Sequence, residues 1–216
     1  VVKSKGNVCV IPSWTGRTGI SGIISEANIY GTILCMTKDF SGLAVLAVLW
    51  RESGDAAKVI INIGGQDIKI IQLDANGKLL EFKMNDKCAA GTGRFFEMAA
   101  RILDTSIYEF AALSEQAVSA AAINSTCVVF AESEIVSLLA KGTPKESIIK
   151  GLHESIARRI AGMMGTESVE GVYLDGGSAN NTALAEAIED ELFTDVSVLK
   201  YPQFTVAFGA ACSLQQ

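Results

Sequence analysis

The spacing of apolar positions near the middle of the chain is typical of short strands. Three stretches rich in apolar and β-branched residues are predicted to be strands: 58–63, 67–73 and 79–84. The first ends at Gly64 and Gly65, which favours a tight turn. The Asn76-Gly77 pair between the second and third stretches is a strong hairpin signal, because both central residues of a type I′ turn need positive φ. The pattern therefore predicts three consecutive antiparallel strands.

After residue 84 the apolar spacing changes from two residues to about 3.6, which indicates helices. Helices are predicted at 91–103, 106–118, 128–140, 144–164, 181–192 and 205–214, and strands at 171–174 and 196–199. Residues 120–125 are compatible with a further short strand. Thr92 is the predicted N-cap of the first helix, and Gly142 followed by Pro144 separates the third helix from the fourth. Strands followed by alternating helices and strands predict an α/β layered domain.

The first 57 residues carry a weaker pattern. Residues 8–11 are compatible with a strand, 19–27 with a helix and 43–50 with either element. No linker-like composition separates this part from the rest, and the chain shows no tandem repeat or low-complexity tract.

The composition narrows the classes of function. The 216 residues are 49% hydrophobic and 19% charged, which is enough apolar material for a packed core. A net charge of −6 offers no basic face for a polyphosphate backbone, so nucleic acid is not an expected partner. The longest apolar runs, such as 42–50, are far shorter than the ~18 residues of a membrane-spanning helix, and no signal peptide opens the chain. We therefore expect a soluble protein without a membrane partner.

Two of the five cysteines are candidate metal ligands. The cysteines are odd in number and widely spaced, and without a secretory signal they favour a reducing compartment, the cytoplasm, over a disulfide framework. Cys88 and Cys127 each follow an irregular polar stretch and precede a predicted helix, whose N-terminus favours the thiolate. Both are therefore candidate ligands of a soft metal centre, and the alternative is burial as small packing residues.

Two thiolates supply half of the ligands that a four-iron cluster needs. A symmetric dimer that places both pairs on its two-fold axis would complete the site. The other cysteines, which lack this context, are interpreted as packing residues: Cys9, Cys35 and Cys212. His153, the single histidine, lies in the middle of an amphipathic helix and is interpreted as structural.

Two glycine pairs follow predicted strands. Gly64 and Gly65, followed by Gln66, allow a hairpin backbone to approach an anionic ligand with its amides free. Gly176 and Gly177 follow a strand and precede a helix, which places backbone amides and a helix N-terminus beside a phosphate or ribose. Neither turn is a Walker loop or a dinucleotide fingerprint, and a plain glycine hairpin is an equal alternative for the first. Together the two turns favour nucleotide binding.

Three motifs resemble one family. Ile-Gly-Gly-Gln-Asp at 63–67, Met-Asn-Asp-Lys-Cys-Ala-Ala-Gly-Thr-Gly-Arg-Phe at 84–95 and Ser-Thr-Cys-Val-Val-Phe-Ala-Glu-Ser-Glu at 125–134 occur in this order. They are similar to the activator ATPases of 2-hydroxyacyl-CoA dehydratases and to the related ATPase subunits of benzoyl-CoA reductase, the BadF/BadG/BcrA/BcrD type. The resemblance covers the chain from about residue 59 to its end.

The resemblance implies an actin-like, sugar-kinase-like ATPase fold, which is ribonuclease H-like. It implies a homodimer with a 4Fe-4S cluster bridging the subunits on Cys88 and Cys127, and ATP or ADP bound with Mg²⁺. Gly64, Gly65 and Gln66 would face the phosphates, Gly176 and Gly177 the adenosine, and Gln203 belongs to a segment similar to the family's adenosine region. In that family ATP drives the transfer of one electron to a dehydratase or reductase.

Two features depart from the family pattern. The family opens with a phosphate hairpin of the form Asp-x-Gly-Ser-Thr, which residues 1–57 do not contain. The family's Asp before Ile-Gly-Gly-Gln is Asn62 here, which removes a carboxylate that could order a magnesium-bound water. We therefore expect 1–57 to be a remnant or divergent part of a first ATPase subdomain, and 58–216 to be the second subdomain.

Two alternative functions remain at this stage. One is a catalytically silent binding or structural member of the same fold, which Asn62 and the absent hairpin motif favour and the intact cysteine motifs oppose. The other, a sugar or acetate kinase, would leave both cysteine motifs without a purpose. ATP hydrolysis is thus a weaker expectation than cluster binding, and no catalytic residue is assigned.

Overall fold

The computed structural model describes most of the chain beyond residue 56 and two short segments near its start. The described residues are 2–4, 7–9, 57–74, 77, 79–85, 92–124, 128–165, 169–199 and 201–205. Strands β1 (Val2–Ser4) and β2 (Asn7–Cys9) form a two-stranded antiparallel sheet. The predicted helix at 19–27, the apolar stretch at 43–50 and the final helix from residue 206 onward lie outside the described residues.

The main sheet has five strands in the order β5-β4-β3-β6-β7. They are β3 (Val59–Ile63), β4 (Ile68–Leu73), β5 (Leu79–Met84), β6 (Val172–Asp175) and β7 (Val196–Val198). The first three pair antiparallel, which confirms the predicted run of hairpins, and Gly77 has the positive φ of 73° that the turn after β4 requires. β6 pairs parallel with β3, and β7 parallel with β6, so β3 lies at the centre of a mixed sheet.

Helices supply the second layer. The α-helices of the described part are α1 (Gly93–Ile102), α2 (Phe110–Glu115), α3 (Val128–Ala140), α4 (Lys145–Met164) and α5 (Thr182–Leu192). Short 3₁₀ turns occupy Ile107–Glu109, Gly177–Asn180 and Pro202–Phe204. None of the described helices combines the length and the apolar character needed to cross a bilayer.

Two predicted elements were wrong in extent or type. The helix predicted at 106–118 ends at Glu115, and Val118 beyond it is fully exposed, so no apolar contact extends the helix. Residues 120–124 are not a strand, because the Ala121 backbone packs directly on α4. A Cβ at Gly151 of α4 would lie only 2.1 Å from the Ala121 carbonyl oxygen, so the glycine permits this approach.

The central strand divides its side chains between two environments. Alternate residues of a strand point to opposite faces, and Val59, Ile61 and Ile63 belong to the apolar core shared with the helices. All five residues of β3 are buried, so the intervening Ile60 and Asn62 face a second buried surface on the other side of the sheet. This placement puts a polar amide inside the protein at the carboxyl end of the central strand.

His153 fixes the packing of three helices. Its ring is buried on α4 and contacts the Phe96 and Phe110 rings edge-on, at centroid distances of 5.5 and 6.3 Å. The Asn181 side-chain amide donates to Nε2 at 2.9 Å, which leaves the proton on Nδ1 for the Ser114 hydroxyl at 3.1 Å. Burial lowers the pKa of His153 to about 4. The geometry agrees with a structural histidine held neutral in the core.

Because His153 is buried and neutral, we expect the folded chain to lose stability in acid. Below pH 6.5 His153 is protonated in the unfolded chain, whereas in the folded chain it stays neutral until the pH nears 4. His153 therefore makes its full contribution to the free energy of unfolding above pH 6.5. This contribution is lost as the pH falls toward 4, and the loss is about 3 kcal/mol at most. Urea unfolding of the wild type and His153→Gln at pH 7 and pH 4.5 should show their stability difference shrinking in acid. A difference that is the same at both pH values would contradict this account.

Candidate functional site

The two glycine turns lie side by side at one edge of the sheet. β3 and β6 are parallel neighbours, so the chain leaves both strands at the same edge, where α/β folds bind ligands. The N-terminus of α1 packs between the turns: a Cβ at Gly93 would lie 3.3 Å from Gly65 Cα and 3.8 Å from the Ser178 hydroxyl oxygen. The structure thus joins two motifs that are more than a hundred residues apart in sequence.

The first turn is held by its carbonyls and leaves amides open. Gly64 donates to Asp67 O at 2.9 Å, while the carbonyls of Gly64 and Gly65 accept from the Gly93 and Arg94 amides, both at 2.9 Å. Thr92 occupies the predicted N-cap position of α1 but makes no side-chain capping bond, so these carbonyls cap the helix instead. Within the described residues the Gly65 and Gln66 amides make no hydrogen bond, and both residues are exposed. Such a turn can receive an anionic ligand.

In the second turn the two glycines have different roles. Gly176 has φ of +92°, and a Cβ there would lie 2.2 Å from the Ile63 carbonyl oxygen. Its amide donates to Pro202 O at 3.0 Å. Gly177 has nothing within 4 Å of its Cβ position and opens the 3₁₀ turn that leads to α5. Gly176 therefore joins the strands, whereas Gly177 keeps a surface open.

Gln203 lies next to the second turn. It belongs to the 3₁₀ turn Pro202–Phe204, whose first residue accepts the Gly176 hydrogen bond, and its side chain is exposed. The sequence-predicted nucleotide residues are thus brought to one edge of the sheet: Gly64, Gly65, Gln66, Gly176, Gly177 and Gln203.

A buried polar row crosses the sheet just below the turns. Asn62 is in register with Lys69 of β4 on one side and with Asp175 of β6 on the other. All three are buried, and Asp175 is 0% exposed. The Asn62 amide donates to Asp175 Oδ2 at 2.6 Å, and Lys69 Nζ is paired with Asp67 Oδ1 at 2.5 Å.

Asp175 is an unusual carboxyl group in this row. Its Oδ1 is buried and, among the described residues, no donor makes a hydrogen bond to it, although Thr205 and the Gly176 amide lie close enough to affect the pKa of the group. Burial raises the pKa of Asp175 to about 6, against the opposing effects of Thr205, Asn62, the Gly176 amide and Lys69. Neither Asp175 nor Lys69 is among the site residues predicted from the sequence. The available signal for Asp175 was a carboxylate directly before Gly176 and Gly177.

The two candidate cluster cysteines, Cys88 and Cys127, lie outside the described residues. Cys127 immediately precedes α3, as predicted, but α1 begins at Gly93, five residues after Cys88. In chain position only Cys127 therefore adjoins the first residue of a helix, and the field of a helix N-terminus falls off within the first turn. Among the described residues there is no group of three or more His, Cys, Asp or Glu side chains that could hold a metal ion.

The mixed sheet with its helical layer has the actin-like ATPase fold. The model of the BadF/BadG/BcrA/BcrD ATPase family matches residues 9–213, and the chain belongs to this family. The match begins well before residue 59, where the motif resemblance started, so much of the weakly patterned first part also belongs to the family.

Named relatives agree with this assignment. The chain is 51% identical to the activator of lactoyl-CoA dehydratase from Anaerotignum propionicum over 72% of the chain and 60% of that relative. It is 36% identical to the 2-hydroxyisocaproyl-CoA dehydratase activator from Clostridioides difficile over 93% of the chain and 83% of the relative. A solved structure of the 2-hydroxyisocaproyl-CoA dehydratase activator with bound ADPNP matches with a TM-score of 0.68 and 42% identity, over 73% of the chain and 59% of that structure. The chain thus spans about three fifths of the length of the first of these relatives.

The two glycines of the second turn should separate folding from binding. Gly176→Ala places a Cβ against Ile63 O at positive φ, so we expect a loss of about 2 kcal/mol or more in unfolding free energy. Gly177→Ala meets open space and should change stability by less than about 0.5 kcal/mol. Denaturant unfolding of both variants tests this, and equal losses would show that the strand junction is not as close as described.

Proposed function

We propose that this chain is an ATP-dependent activator of a 2-hydroxyacyl-CoA dehydratase. In this proposal ATP binding and hydrolysis would change the conformation of a homodimer. Cys88 and Cys127 of each chain would hold a 4Fe-4S cluster, which would supply one-electron redox chemistry toward the dehydratase. The observation that carries the proposal is the meeting of the two glycine turns at the edge of β3 and β6, in a chain that is 51% identical to a dehydratase activator.

The backbone supplies most of the nucleotide contacts in this proposal. The open amides of Gly65 and Gln66 would bind phosphate oxygens, because oriented backbone donors at an exposed turn complement negative charge without a long side chain. Gly177 would let the adenosine approach the backbone, and Gln203 beside it would add a polar contact.

The oxygen atoms at this edge of the sheet are suitable hydrogen-bond acceptors for the water shell of a magnesium ion. Mg²⁺ is bound by oxygen ligands and keeps several of its waters, so it needs acceptors at the edge where the phosphates bind. The described residues offer one buried carboxylate oxygen without a hydrogen-bond partner, Asp175 Oδ1. Mg²⁺ would neutralise phosphate charge during transfer.

The cluster would be held by Cys88 and Cys127 from each of two chains. Two thiolates per chain make four ligands only when two chains meet, which is the ligand number of a 4Fe-4S cluster. The cluster would supply a one-electron redox step, and the protein would supply the dimer interface that holds it. The electron acceptor would be a dehydratase; a benzoyl-CoA reductase-type component is the alternative.

A catalytically silent member of the family is the second candidate. Asn62 replaces the family's carboxylate, and its amide is engaged with Asp175, so position 62 itself cannot act as a base toward water. Nucleotide binding without turnover would favour this alternative.

The nucleotide site is tested by calorimetric titration with ADP and ATP. We expect ADP to bind through the two turns. ATP should bind with little higher affinity than ADP, because residues 1–57 contain no Asp-x-Gly-Ser-Thr motif to bind the γ-phosphate. Hydrolysis should accordingly be slow. Gly177→Val should weaken ADP about tenfold or more by blocking backbone approach.

Gly162→Val is a matched control for this titration, because its Cβ position on α4 is equally open and lies outside the two turns. Absence of binding by either nucleotide would remove the ATPase function. Robust ATP turnover would show that residues 1–57 supply a phosphate grip in another form.

The cluster is tested by anaerobic purification with an absorption spectrum and an iron count. We expect four irons per dimer, because four thiolates are available only across two chains. Cys88→Ala or Cys127→Ala should abolish the cluster, and Cys212→Ala, outside both motifs, should retain it. A monomer that keeps the full cluster after either motif change would rule out a shared site.

A further inference from the structure

The carboxylate that the family carries at position 62 has a counterpart on the neighbouring strand. Asn62 and Asp175 are directly paired across the parallel β3–β6 ladder, so their side chains leave the same face of the sheet at the same level. The 2.6 Å bond from the Asn62 amide to Asp175 Oδ2 joins the two groups. The pair therefore still holds one carboxylate, moved by one strand.

The bonding of Asp175 leaves one of its oxygens available. Oδ2 accepts from Asn62, whereas the buried Oδ1 has no hydrogen-bond partner among the described residues. A buried carboxylate oxygen without a donor is costly, so such an atom in a native protein calls for an explanation such as a missing water or ion. The nearby donors make their hydrogen bonds elsewhere. Lys69 Nζ is paired with Asp67 Oδ1. The Thr205 hydroxyl lies within reach of the carbonyl oxygens of Tyr201 and Pro202, and the Gly176 amide donates to Pro202 O, although both groups also lower the pKa of Asp175.

The position of Asp175 indicates which hydrogen-bond donor would pair with its Oδ1. Asp175 directly precedes Gly176, and its partner Asn62 lies two residues before Gly64, so the carboxylate lies at the base of both glycine turns. Phosphates bound at these turns would bring Mg²⁺ with its waters to the same edge. A magnesium-bound water is a strong hydrogen-bond donor suited to a carboxylate oxygen.

We propose that Asp175 replaces the family's carboxylate at position 62, and that its Oδ1 accepts a hydrogen bond from a water bound to the Mg²⁺ of the nucleotide complex. Asn62 is then a positioning residue that holds Oδ2 and so fixes the direction of Oδ1. This inference rests on the proposed nucleotide site. On this proposal, Asn62 in place of the family's Asp means that the carboxylate has moved from β3 to β6 and has not been lost.

A purely structural role for Asp175 predicts a different behaviour. If the group only filled the sheet, an Asn at 175 could keep a side-chain hydrogen bond with Asn62 and leave nucleotide binding unchanged. The magnesium dependence of nucleotide affinity separates the two roles, because a structural change alters affinity with and without the metal alike.

The experiment is a calorimetric titration of the chain with ADP in the presence of excess Mg²⁺ and again in the presence of a chelator. Mg²⁺ should tighten ADP binding by about tenfold in the wild type, the size expected for one charge-assisted hydrogen bond. Asp175→Asn should lose this enhancement and keep the affinity for metal-free ADP. Asp190→Asn, an exposed carboxylate on α5, is the matched control and should behave as wild type.

The exchanged pair Asn62→Asp/Asp175→Asn gives the decisive measurement. It returns the carboxylate to β3 within the same hydrogen-bonded pair and should restore the magnesium enhancement that Asp175→Asn loses. If Asp175→Asn fails to fold, it loses ADP in both conditions, and the exchanged pair still tests the idea. If Mg²⁺ still tightens ADP binding in Asp175→Asn, the inference about Asp175 is wrong and the proposed function stands. If the wild type does not bind ADP at all, both the inference and the proposed function are wrong.

Discussion

The parallel pairing of β3 with β6 is the constraint on which the site depends. The two strands come so close at their carboxyl ends that a single Cβ at Gly176 would lie 2.2 Å from a backbone oxygen of β3. That closeness places one glycine turn beside the other and lets the N-terminus of α1 dock on the carbonyls of Gly64 and Gly65. Without this pairing the strand-to-strand turn at Gly64 and the strand-to-helix turn at Gly176 would not share an edge.

Burial on both faces of the sheet gives the polar row its character. The helical side of β3 is apolar, so the polar groups occupy the opposite face, where Asn62, Asp175 and Lys69 lie in register. Polar groups buried there are costly unless paired, and the pairs Asn62 with Asp175 and Lys69 with Asp67 largely meet this requirement. Within the part of the chain that the structure describes, Asp175 Oδ1 is the carboxylate oxygen of this row that stays without a hydrogen-bond partner.

The helical layer is fixed by a different device. His153 links α4 to Ser114 of α2 and to Asn181, whose own side-chain oxygen caps α5 by accepting from the Leu184 amide at 3.2 Å. Because Asn181 begins the helix that follows the second glycine turn, the core histidine also helps to orient that turn. A chain of neutral polar groups inside an apolar layer thus connects α2 and α4 to the start of α5.

The sequence by itself determined the strands β3 to β5, the long helices and the positions of both glycine turns, because apolar periodicity and glycine chemistry are local properties. It allowed a short strand at 120–125, but the described part of this stretch, 120–124, is not a strand and packs through Ala121 on Gly151. Only the tertiary structure decided which glycine joins strands and which stays open, and only it showed that Asp175 lies against Asn62. Residues 113 positions apart become neighbours through strand pairing, and a contact across that distance leaves no periodic signal in one sequence.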